Sequence, residues 1–520
     1  MPYLEVETDS GVLRGIDNAG TVSLLGVPYG ASTAGANRFR PPQPVAPWTG
    51  VRDALTFGPS APQVDTRSHA RANGPRTLSL LYPRAGWPAE GSAIDEDCLR
   101  LNVWAPSGHL HESLPVLVWL HGGGFTHGSG NEMAFNGDVL AQFGQLVVVT
   151  VTHRLGVTGF LDLREQGVPG SANAGMLDIV AALEWVRRNI ASVGGDPDRV
   201  TICGQSGGSA KVATLFAMPA ARPLFARGIM MSGPMGETPP AAAAVALREH
   251  VFELLGVATA EEARSLPLER LLGAQAQILA AGTARFGARP MASIPGFGPS
   301  YDPSDLPESA FAAEATDAVA GKQLMIGWAT HEAGLLLVDE AGYSTSMTAD
   351  QAIALLDEDE PGDGRDVYAA LARAYPHEPP HLLWSRRLSE RIMAGPARTI
   401  ADLASDKAAG VWAYQFQQPT EVLGGLLGAC HSLDLAYVFG TVDRIPLTGR
   451  NPARIDVSRA MMRAWATFAR DGAPDDGRGP WQPWTRDQHV VHCFGTAYGP
   501  ELALPPDVDL TVPDLVASRA

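Results

Sequence analysis

The sequence predicts an α/β fold in which helices cover both faces of a central, mostly parallel, twisted β-sheet. Three features carry this prediction. Residues 114–120 and 145–151 are apolar runs of strand length, rich in β-branched side chains. Residues 176–190 follow with apolar side chains at helical spacing, and 199–203 form another short apolar run. A strand, a helix and a strand in this order are typical of a parallel sheet.

The helix over 176–190 is predicted from apolar positions that share one face, namely Met176, Ile179, Val180, Leu183, Val186 and Ile190. The glycines and proline of 194–200 end this helix and lead into the next strand. Two more strands are predicted at 228–233 and 323–329, and both extend the sheet. An amphipathic pattern over 458–472 indicates a late helix that packs on it.

Two long segments outside the sheet have mainly helical patterns, at 240–280 and 349–405. No internal repeat or Ser/Gly-rich linker marks a domain boundary. We therefore expect one domain over residues 1–520, with mainly helical insertions at 235–320 and 340–415 that shape the pocket of the protein.

Composition narrows the class of function. Hydrophobic residues make up 45% of the chain and the formal net charge is −17, so neither nucleic acid nor an anionic membrane is expected as a partner. The first residues lack the basic and apolar regions of a secretory signal, and the apolar runs are too short to span a bilayer, so a cytoplasmic location is expected. The four cysteines lack the spacing of metal ligands, so neither a zinc site nor a disulfide framework is expected. They are Cys98, Cys203, Cys430 and Cys493.

Ser206 lies in the sequence Gly204-Gln205-Ser206-Gly207-Gly208, between the run 199–203 and a helical pattern. The G-x-S-x-G pattern between a strand and a helix is typical of a strained turn that exposes a nucleophilic serine at a helix N-terminus. A glycine-rich turn without chemistry and a phosphate-binding loop are the alternatives. The phosphate loop is disfavoured because it requires Lys-Ser or Lys-Thr directly after its last glycine, whereas Ser209 and Ala210 precede Lys211 here.

A serine that attacks an ester requires donors for the oxyanion. The apolar run 114–120 ends in His121-Gly122-Gly123-Gly124-Phe125. Consecutive glycines allow backbone N–H groups to approach a substrate carbonyl, so Gly123, Gly124 and Gly207 are the candidate oxyanion-hole residues. The alternative interpretation is a flexible glycine turn.

Together these segments resemble the type-B carboxylesterases, a family that includes bacterial p-nitrobenzyl esterases and the cholinesterases. The resemblance covers nearly the whole chain and is weakest over 235–320 and 340–415. The matching segments are GVPYG (26–30), RFRPPQPVAPW (38–48), EDCLRLNVWAP (96–106), HGGGF (121–125), RLGVTGFL (154–161), NAGMLD (173–178), WVRRNIASVGGDPDRVTICGQSGG (185–208) and GACHSLDLAYVFG (428–440). The resemblance implies an α/β-hydrolase fold, helical insertions around an active-site gorge, and a Ser-Glu-His triad.

The two partners of Ser206 follow from the chain order serine, acid, histidine of this fold. Glu332 comes shortly after the predicted strand 323–329 and matches the family's acid, and His431 matches the family's base. His331 is the main competing histidine. The weaker alternatives for the acid are Asp339, Glu340 and Asp434.

The sequence departs from the family pattern at two places. Many relatives have Glu before the nucleophile and Ala after it, where this chain has Gln205 and Gly207. A neutral Gln205 removes a charge that would favour cationic substrates. Secreted relatives close a disulfide with the cysteine that matches Cys98, yet no cysteine precedes Cys98 here. Both departures indicate an intracellular bacterial-type enzyme.

The expected activity is hydrolysis of small, largely hydrophobic carboxylic esters through an acyl-enzyme, without metal or organic cofactor. The alternatives are an acyltransferase, amidase or ester- or lactone-forming cyclase with the same triad, and a non-catalytic binding protein. The only expected partner is a small-molecule ester, and both monomer and homodimer remain open. The candidate substrate-binding residues are Phe125, Gln205, Phe286, Tyr301 and Leu336.

Overall fold

The computed structural model describes most of the chain. The described residues are 3–18, 20–64, 74–82, 93–233, 238–282, 296–309, 311, 316–338, 340, 342–359, 361–495 and 499–502. Phe286 and Asp339 of the sequence analysis lie outside these residues, and all statements below concern the described part alone.

One thirteen-stranded sheet forms the centre of the molecule. Its strands are β1 (Tyr3–Thr8), β2 (Gly11–Asn18), β3 (Thr21–Pro28), β4 (Val51–Asp53), β5 (Arg100–Pro106), β6 (Leu114–Leu120), β7 (Val147–Thr152), β8 (Gly195–Gln205), β9 (Arg227–Met231), β10 (Gln323–Ala329), β11 (Gly410–Phe416), β12 (Val490–Phe494) and β13 (Gly499–Leu502). The order across the sheet is β1-β2-β3-β5-β7-β6-β8-β9-β10-β11-β12-β13, with β4 beside β2.

The sheet is mixed, with its parallel part in the middle. All neighbours from β7 through β6, β8, β9, β10 and β11 to β12 pair in parallel. Antiparallel pairs flank this part, formed by β1, β2, β3, β5 and β7 on one side and by β12 and β13 on the other. The predicted α/β class is confirmed, and the antiparallel strands near the N-terminus are an addition that the sequence analysis missed.

Helices cover the sheet and fill the long connections. They are α1 (Gly74–Leu81), α2 (Asp138–Gly144), α3 (Gly156–Gly159), α4 (Ala174–Asn189), α5 (Gly207–Ala217), α6 (Ala241–Leu255), α7 (Ala260–Ser265), α8 (Leu268–Gly282), α9 (Ala333–Leu336), α10 (Ala349–Asp359), α11 (Gly364–Ala374), α12 (Pro380–Ser389), α13 (Gly395–Ser405), α14 (Asp434–Val438) and α15 (Ala453–Asp471). A π-helical turn, Glu390–Ala394, joins α12 to α13.

Two boundaries differ from the sequence analysis. The helical stretch that begins at Ala349 ends at Ser405, and residues 410–415 of the predicted insertion 340–415 belong to β11. β8 begins at Gly195, earlier than the predicted strand 199–203, because the chain leaves the preceding 3-10 turn through Gly194 at φ 81°. No helix in the described part of the chain is both long and apolar enough to cross a membrane.

The core lies on both faces of the sheet. In β6, Val116, Val118 and Leu120 belong to one apolar cluster, while Leu117 and Trp119 belong to the other. This alternation follows from the two-residue period of a strand, and burial on both faces explains why β6 is apolar throughout. The cysteines Cys98, Cys203, Cys430 and Cys493 are all buried and free.

Candidate active site

The parallel strands end together at one edge of the sheet. Leu120 of β6 pairs with Gly204 of β8, Gln205 pairs with Met231 of β9, and Ala329 of β10 pairs with Phe416 of β11. The segments that follow these strands therefore meet at the carboxyl edge, where open α/β sheets bind their ligands.

Ser206 occupies the turn between β8 and α5. Its backbone has φ 58° and ψ −125°, a conformation that a residue with a side chain rarely adopts, and its amide donates to the carbonyl of Met231 at 2.9 Å. Every residue from Val200 to Met218 is buried except Ser206, which is partly exposed. The strained turn thus presents one hydroxyl at the N-terminus of a buried helix.

Glycines are required around this turn because backbone segments touch there. A Cβ atom on Gly204 would lie under 3.0 Å from the carbonyl group of Gly208, and one on Gly208 would lie as close to the carbonyl oxygen of Leu120. A Cβ atom on Gly233, which follows β9, would lie under 3.0 Å from the Ser206 backbone. These contacts explain the glycines on both sides of the serine.

The loop after β6 lies beside Ser206. A Cβ atom on Gly122 would be 3.4 Å from the Ser206 Cβ, and Gly123 and Gly124 have φ of 90° and 63°, which glycine adopts at little cost. A Cβ atom on Gly207 would lie under 3.0 Å from the backbone of Gly124. In the described part of the chain no group accepts a hydrogen bond from the amides of Gly123, Gly124 and Gly207, so these donors are free for a ligand.

Glu332 and His431 form a buried hydrogen-bonded pair. Glu332 follows β10 and is fully buried, and its Oε1 accepts the amide of Ala329 at 2.6 Å. Its Oε2 accepts a hydrogen bond from His431 Nδ1 at 2.6 Å. Because both carboxylate oxygens are engaged, the imidazole is held in one orientation, with Nδ1 as a donor and Nε2 as an acceptor.

Gln205 links this pair to the turn that carries Ser206. Its side chain is buried, and its amide nitrogen lies 3.2 Å from Nε2 and 3.5 Å from Nδ1 of His431. Three segments far apart in the chain therefore come together here, around Ser206, Glu332 and His431. A hydroxyl at a helix N-terminus, an imidazole held by a carboxylate, and unengaged backbone amides are the parts required for nucleophilic acyl transfer.

The competing residues have other contacts. His331 Nε2 lies 3.4 Å from Glu378 Oε2, and Ala429 donates its amide to His331 Nδ1 at 3.2 Å. Asp434 is buried and accepts from the Tyr414 hydroxyl at 3.3 Å. Glu340 is partly buried, and its described hydrogen bonds are made by its backbone, which donates to the carbonyl of Leu337 and accepts the amide of Tyr343. The carboxylate bonded to His431 is that of Glu332.

The candidate pocket residues are dispersed. Phe125 is buried in the core and contacts the ring of Phe160 edge-on, with ring centroids 5.3 Å apart. Tyr301 is 43% exposed, and its described hydrogen bonds join its backbone to Pro239 and Arg164. Leu336 ends α9 and is partly buried. Phe125 directly follows the glycine loop in the chain, and the fourth described candidate, Gln205, lies against Gly122 of that loop.

Several buried titratable groups near the site have shifted pKa values that the sequence analysis did not predict. Burial lowers the pKa of Lys211 to about 7. Burial, and then the charge of Glu332, raise the pKa of Asp434 to about 7. Burial, and then Lys211, hold the pKa of His121 well below its usual value. The sequence contains a signal for Lys211, because it is the single lysine within the apolar helical run that forms α5.

Comparisons with known proteins match nearly the whole chain. The model of the carboxylesterase family matches residues 2–496. The para-nitrobenzyl esterase of Bacillus subtilis (strain 168) is 33% identical over 487 residues, 92% of this chain and 92% of that protein. The phenmedipham hydrolase of Pseudarthrobacter oxydans is 33% identical over 534 residues, 98% of each. The solved structure of a thermophilic pNB esterase superposes with a TM-score of 0.78 at 30% identity, covering 96% of this chain and 98% of that one.

Proposed function

The chain belongs to the carboxylesterase family and has the α/β-hydrolase fold, and from this premise we propose that Ser206, His431 and Glu332 form its catalytic triad. The proposed reaction is hydrolysis of small, largely hydrophobic carboxylic esters through an acyl-enzyme. The single observation that carries the proposal is the 2.6 Å hydrogen bond from His431 Nδ1 to the buried Glu332, with Gln205 joining this imidazole to the segment of Ser206.

In the first half of the proposed reaction, Nε2 of His431 takes the proton of Ser206 Oγ while this oxygen attacks the ester carbonyl carbon. The carbonyl oxygen becomes an oxyanion that accepts hydrogen bonds from the amides of Gly123, Gly124 and Gly207. The intermediate then collapses, the C–O bond to the alcohol breaks, and His431 donates its proton to the leaving alkoxide. Throughout, Glu332 orients the imidazole and stabilises its cation.

In the second half, water takes the place of the alcohol. His431 removes a proton from the water, which attacks the acyl carbon, and the carboxylic acid leaves as Ser206 regains its proton. The backbone amides serve the second oxyanion as they served the first. The same α5 N-terminus that presents Ser206 favours negative charge at this point, because the first N–H groups of a helix lack intrahelical acceptors.

The substrate class rests on two uncharged residues beside the proposed serine and glycine loop. Gln205, beside His431, is neutral and buried, and Phe125 next to the glycine loop is apolar, so a hydrophobic neutral ester is favoured over a cationic one. The names of the two relatives refer to a p-nitrobenzyl ester and to phenmedipham. Esters of aromatic alcohols are therefore reasonable first probes. We assign the pocket walls to the mainly helical segments that follow β9 and β10, within a single domain.

The test is the initial rate on p-nitrophenyl esters of increasing acyl length and on a p-nitrobenzyl ester, with wild type and Ser206→Ala side by side. We expect turnover by the wild type and a loss of several powers of ten in the variant. An organophosphate should add its phosphoryl mass to the peptide that contains Ser206 in the wild type only. Equal rates in both proteins would overturn the triad, and dominant transfer to a low concentration of added alcohol would overturn hydrolysis as the main activity.

A further inference from the structure

A lysine is buried behind the glycine loop. Lys211 lies in α5, one helical turn after Gly207, and its side chain is fully buried. Nζ donates to the carbonyl oxygen of His121 at 2.8 Å and lies 5.5 Å from the centroid of the Phe125 ring. In the described part of the chain no carboxylate pairs with it, and burial alone accounts for its lowered pKa.

Two histidines interact with Lys211. His121 and His153 are fully buried with their rings stacked at 5.0 Å, and each Nδ1 donates to a backbone carbonyl at 2.8 Å, that of Gly122 and that of Arg154 respectively. Neither Nε2 has a hydrogen-bond partner among the described residues. Burial is the largest cause of the lowered pKa of both histidines, and the charge of Lys211 is the next. A buried amine in such surroundings is costly, since no counter-charge offsets its desolvation.

The one described hydrogen bond of this amine is at the start of the glycine loop. The carbonyl of His121 is the last before Gly122, Gly123 and Gly124. The far end of the loop has its own restraints. The carbonyl oxygen of Gly123 accepts hydrogen bonds from the amides of Thr126 and His127 at 3.3 and 3.1 Å. The carbonyl oxygen of Phe125 accepts one from the amide of Gly156 at 2.7 Å. The near end follows β6, and its bond to Lys211 ties it to α5, the helix that begins with Gly207.

We propose that Lys211 is a positioning residue of the oxyanion hole, whose bond to the His121 carbonyl fixes the amides of Gly123 and Gly124 relative to the amide of Gly207. The inference rests on the proposed function, since it assumes that these three amides bind the oxyanion. Lys211 touches neither substrate nor the reacting atoms. Its loss releases the loop, and a misplacement near 1 Å in such a site costs on the order of 10²-fold in rate.

The test is Lys211→Met, which keeps the length of the side chain and removes the donor. We expect kcat on a p-nitrophenyl ester to fall about 10- to 100-fold with KM changed less than about threefold, because the amides act on the transition state. An alkyl trifluoromethyl ketone provides a second readout, because its adduct with the serine carries an oxyanion. Its affinity should fall by the same factor as kcat/KM, while the affinity for a non-covalent substrate analogue stays unchanged.

Lys322 provides a matched control. It lies just before β10, at the edge of the sheet opposite Glu332. Its Nζ likewise donates to backbone carbonyls, those of Arg222 and Phe225 at 2.8 and 2.6 Å, and it lies above the ring of Phe225. Lys322→Met should lower the melting temperature and leave kcat and ketone affinity unchanged. Should Lys211→Met fail to fold, Lys211→Gln is measured against the same criteria, since its side chain is one atom shorter and moves the donor away from the His121 carbonyl.

Two results would overturn the proposal. One is a folded Lys211 variant with kcat and ketone affinity within twofold of wild type. The other is a parallel loss of affinity for the ketone and for the non-covalent analogue, which indicates general structural damage. A wild type that neither turns over the ester nor forms the ketone adduct, with Ser206→Ala indistinguishable from it, would instead refute the proposed function, so the two failures are distinct.

Discussion

Gly207 packs so closely on Gly124 that a Cβ atom on Gly207 would lie under 3.0 Å from the nitrogen, Cα and carbonyl oxygen of Gly124. The first residue of α5 and the last glycine of the loop after β6 are therefore in backbone contact. The two halves of the proposed oxyanion hole have no space between them for a side chain, and their mutual position is set by this contact as well as by Lys211.

We therefore predict that Gly207→Ala lowers kcat on p-nitrophenyl esters by about 10- to 100-fold, because the loop must move away from α5 and its amides lose their alignment. Gly273→Ala is the control, since Gly273 lies in α8 with open space around it. That variant should keep full activity and gain about 0.5–1 kcal/mol from helix propensity. A Gly207→Ala enzyme with at least half of the wild-type kcat would contradict the predicted rigidity.

The parallel strands could be predicted because they are buried on both faces. Leu114–Leu120 and Gln323–Ala329 have the predicted bounds, since continuous apolar runs of strand length have few other interpretations. β1 and β2 could not be predicted in this way. Their burial patterns are broken, and Val6 is the only buried residue of β1. Pairing with the rest of the sheet, which no local pattern reveals, makes these segments strands.

The site shows a similar limit. Ser206 and the glycines could be identified because their chemistry depends on residues adjacent in sequence. The bond between Lys211 and His121 joins residues 90 positions apart, and only the folded chain brings them together. Apart from Gln205, the pocket candidates were chosen for being aromatic or apolar, a property shared by core residues, and Phe125 is indeed part of the core. Apolarity alone cannot separate a pocket wall from a core.

Glu332→Gln should lower kcat by about 10³- to 10⁴-fold. Both oxygens of Glu332 accept hydrogen bonds, from the Ala329 amide and from His431 Nδ1. A glutamine offers one acceptor, so in either orientation its NH₂ group faces another donor and the imidazole loses its support. The matched control is Glu378→Gln, which alters the neighbouring carboxylate–histidine pair with His331. Comparable losses in both variants would refute a specific role of Glu332.

Gln205→Glu should move the acidic limb of the pH profile of kcat/KM to higher pH, by on the order of one unit. The Gln205 amide nitrogen lies 3.2 Å from His431 Nε2, and a carboxylate at that place would stabilise the imidazolium. The preference for a choline ester over its neutral isostere should rise as well. Gln277→Glu makes the same charge change at an exposed position of α8 and should leave the profile in place. An unshifted profile in Gln205→Glu would show that this side chain does not affect the imidazole.

Asp434→Asn should remove part of the pH dependence of stability. The side chain is fully buried, its Oδ1 has no hydrogen-bond partner in the described part of the chain, and its pKa is raised from 3.8 to about 7 by burial and by the charge of Glu332. Between these values the folded protein keeps a proton that the unfolded chain releases, so this group stabilises the fold at low pH and the contribution is lost as pH rises towards 7.

The melting temperature of Asp434→Asn relative to wild type should therefore increase from pH 5 to pH 8, while the exposed control Asp487→Asn should show a constant difference. A constant difference for Asp434→Asn as well would mean that this carboxyl group is already ionised in the folded protein at pH 5.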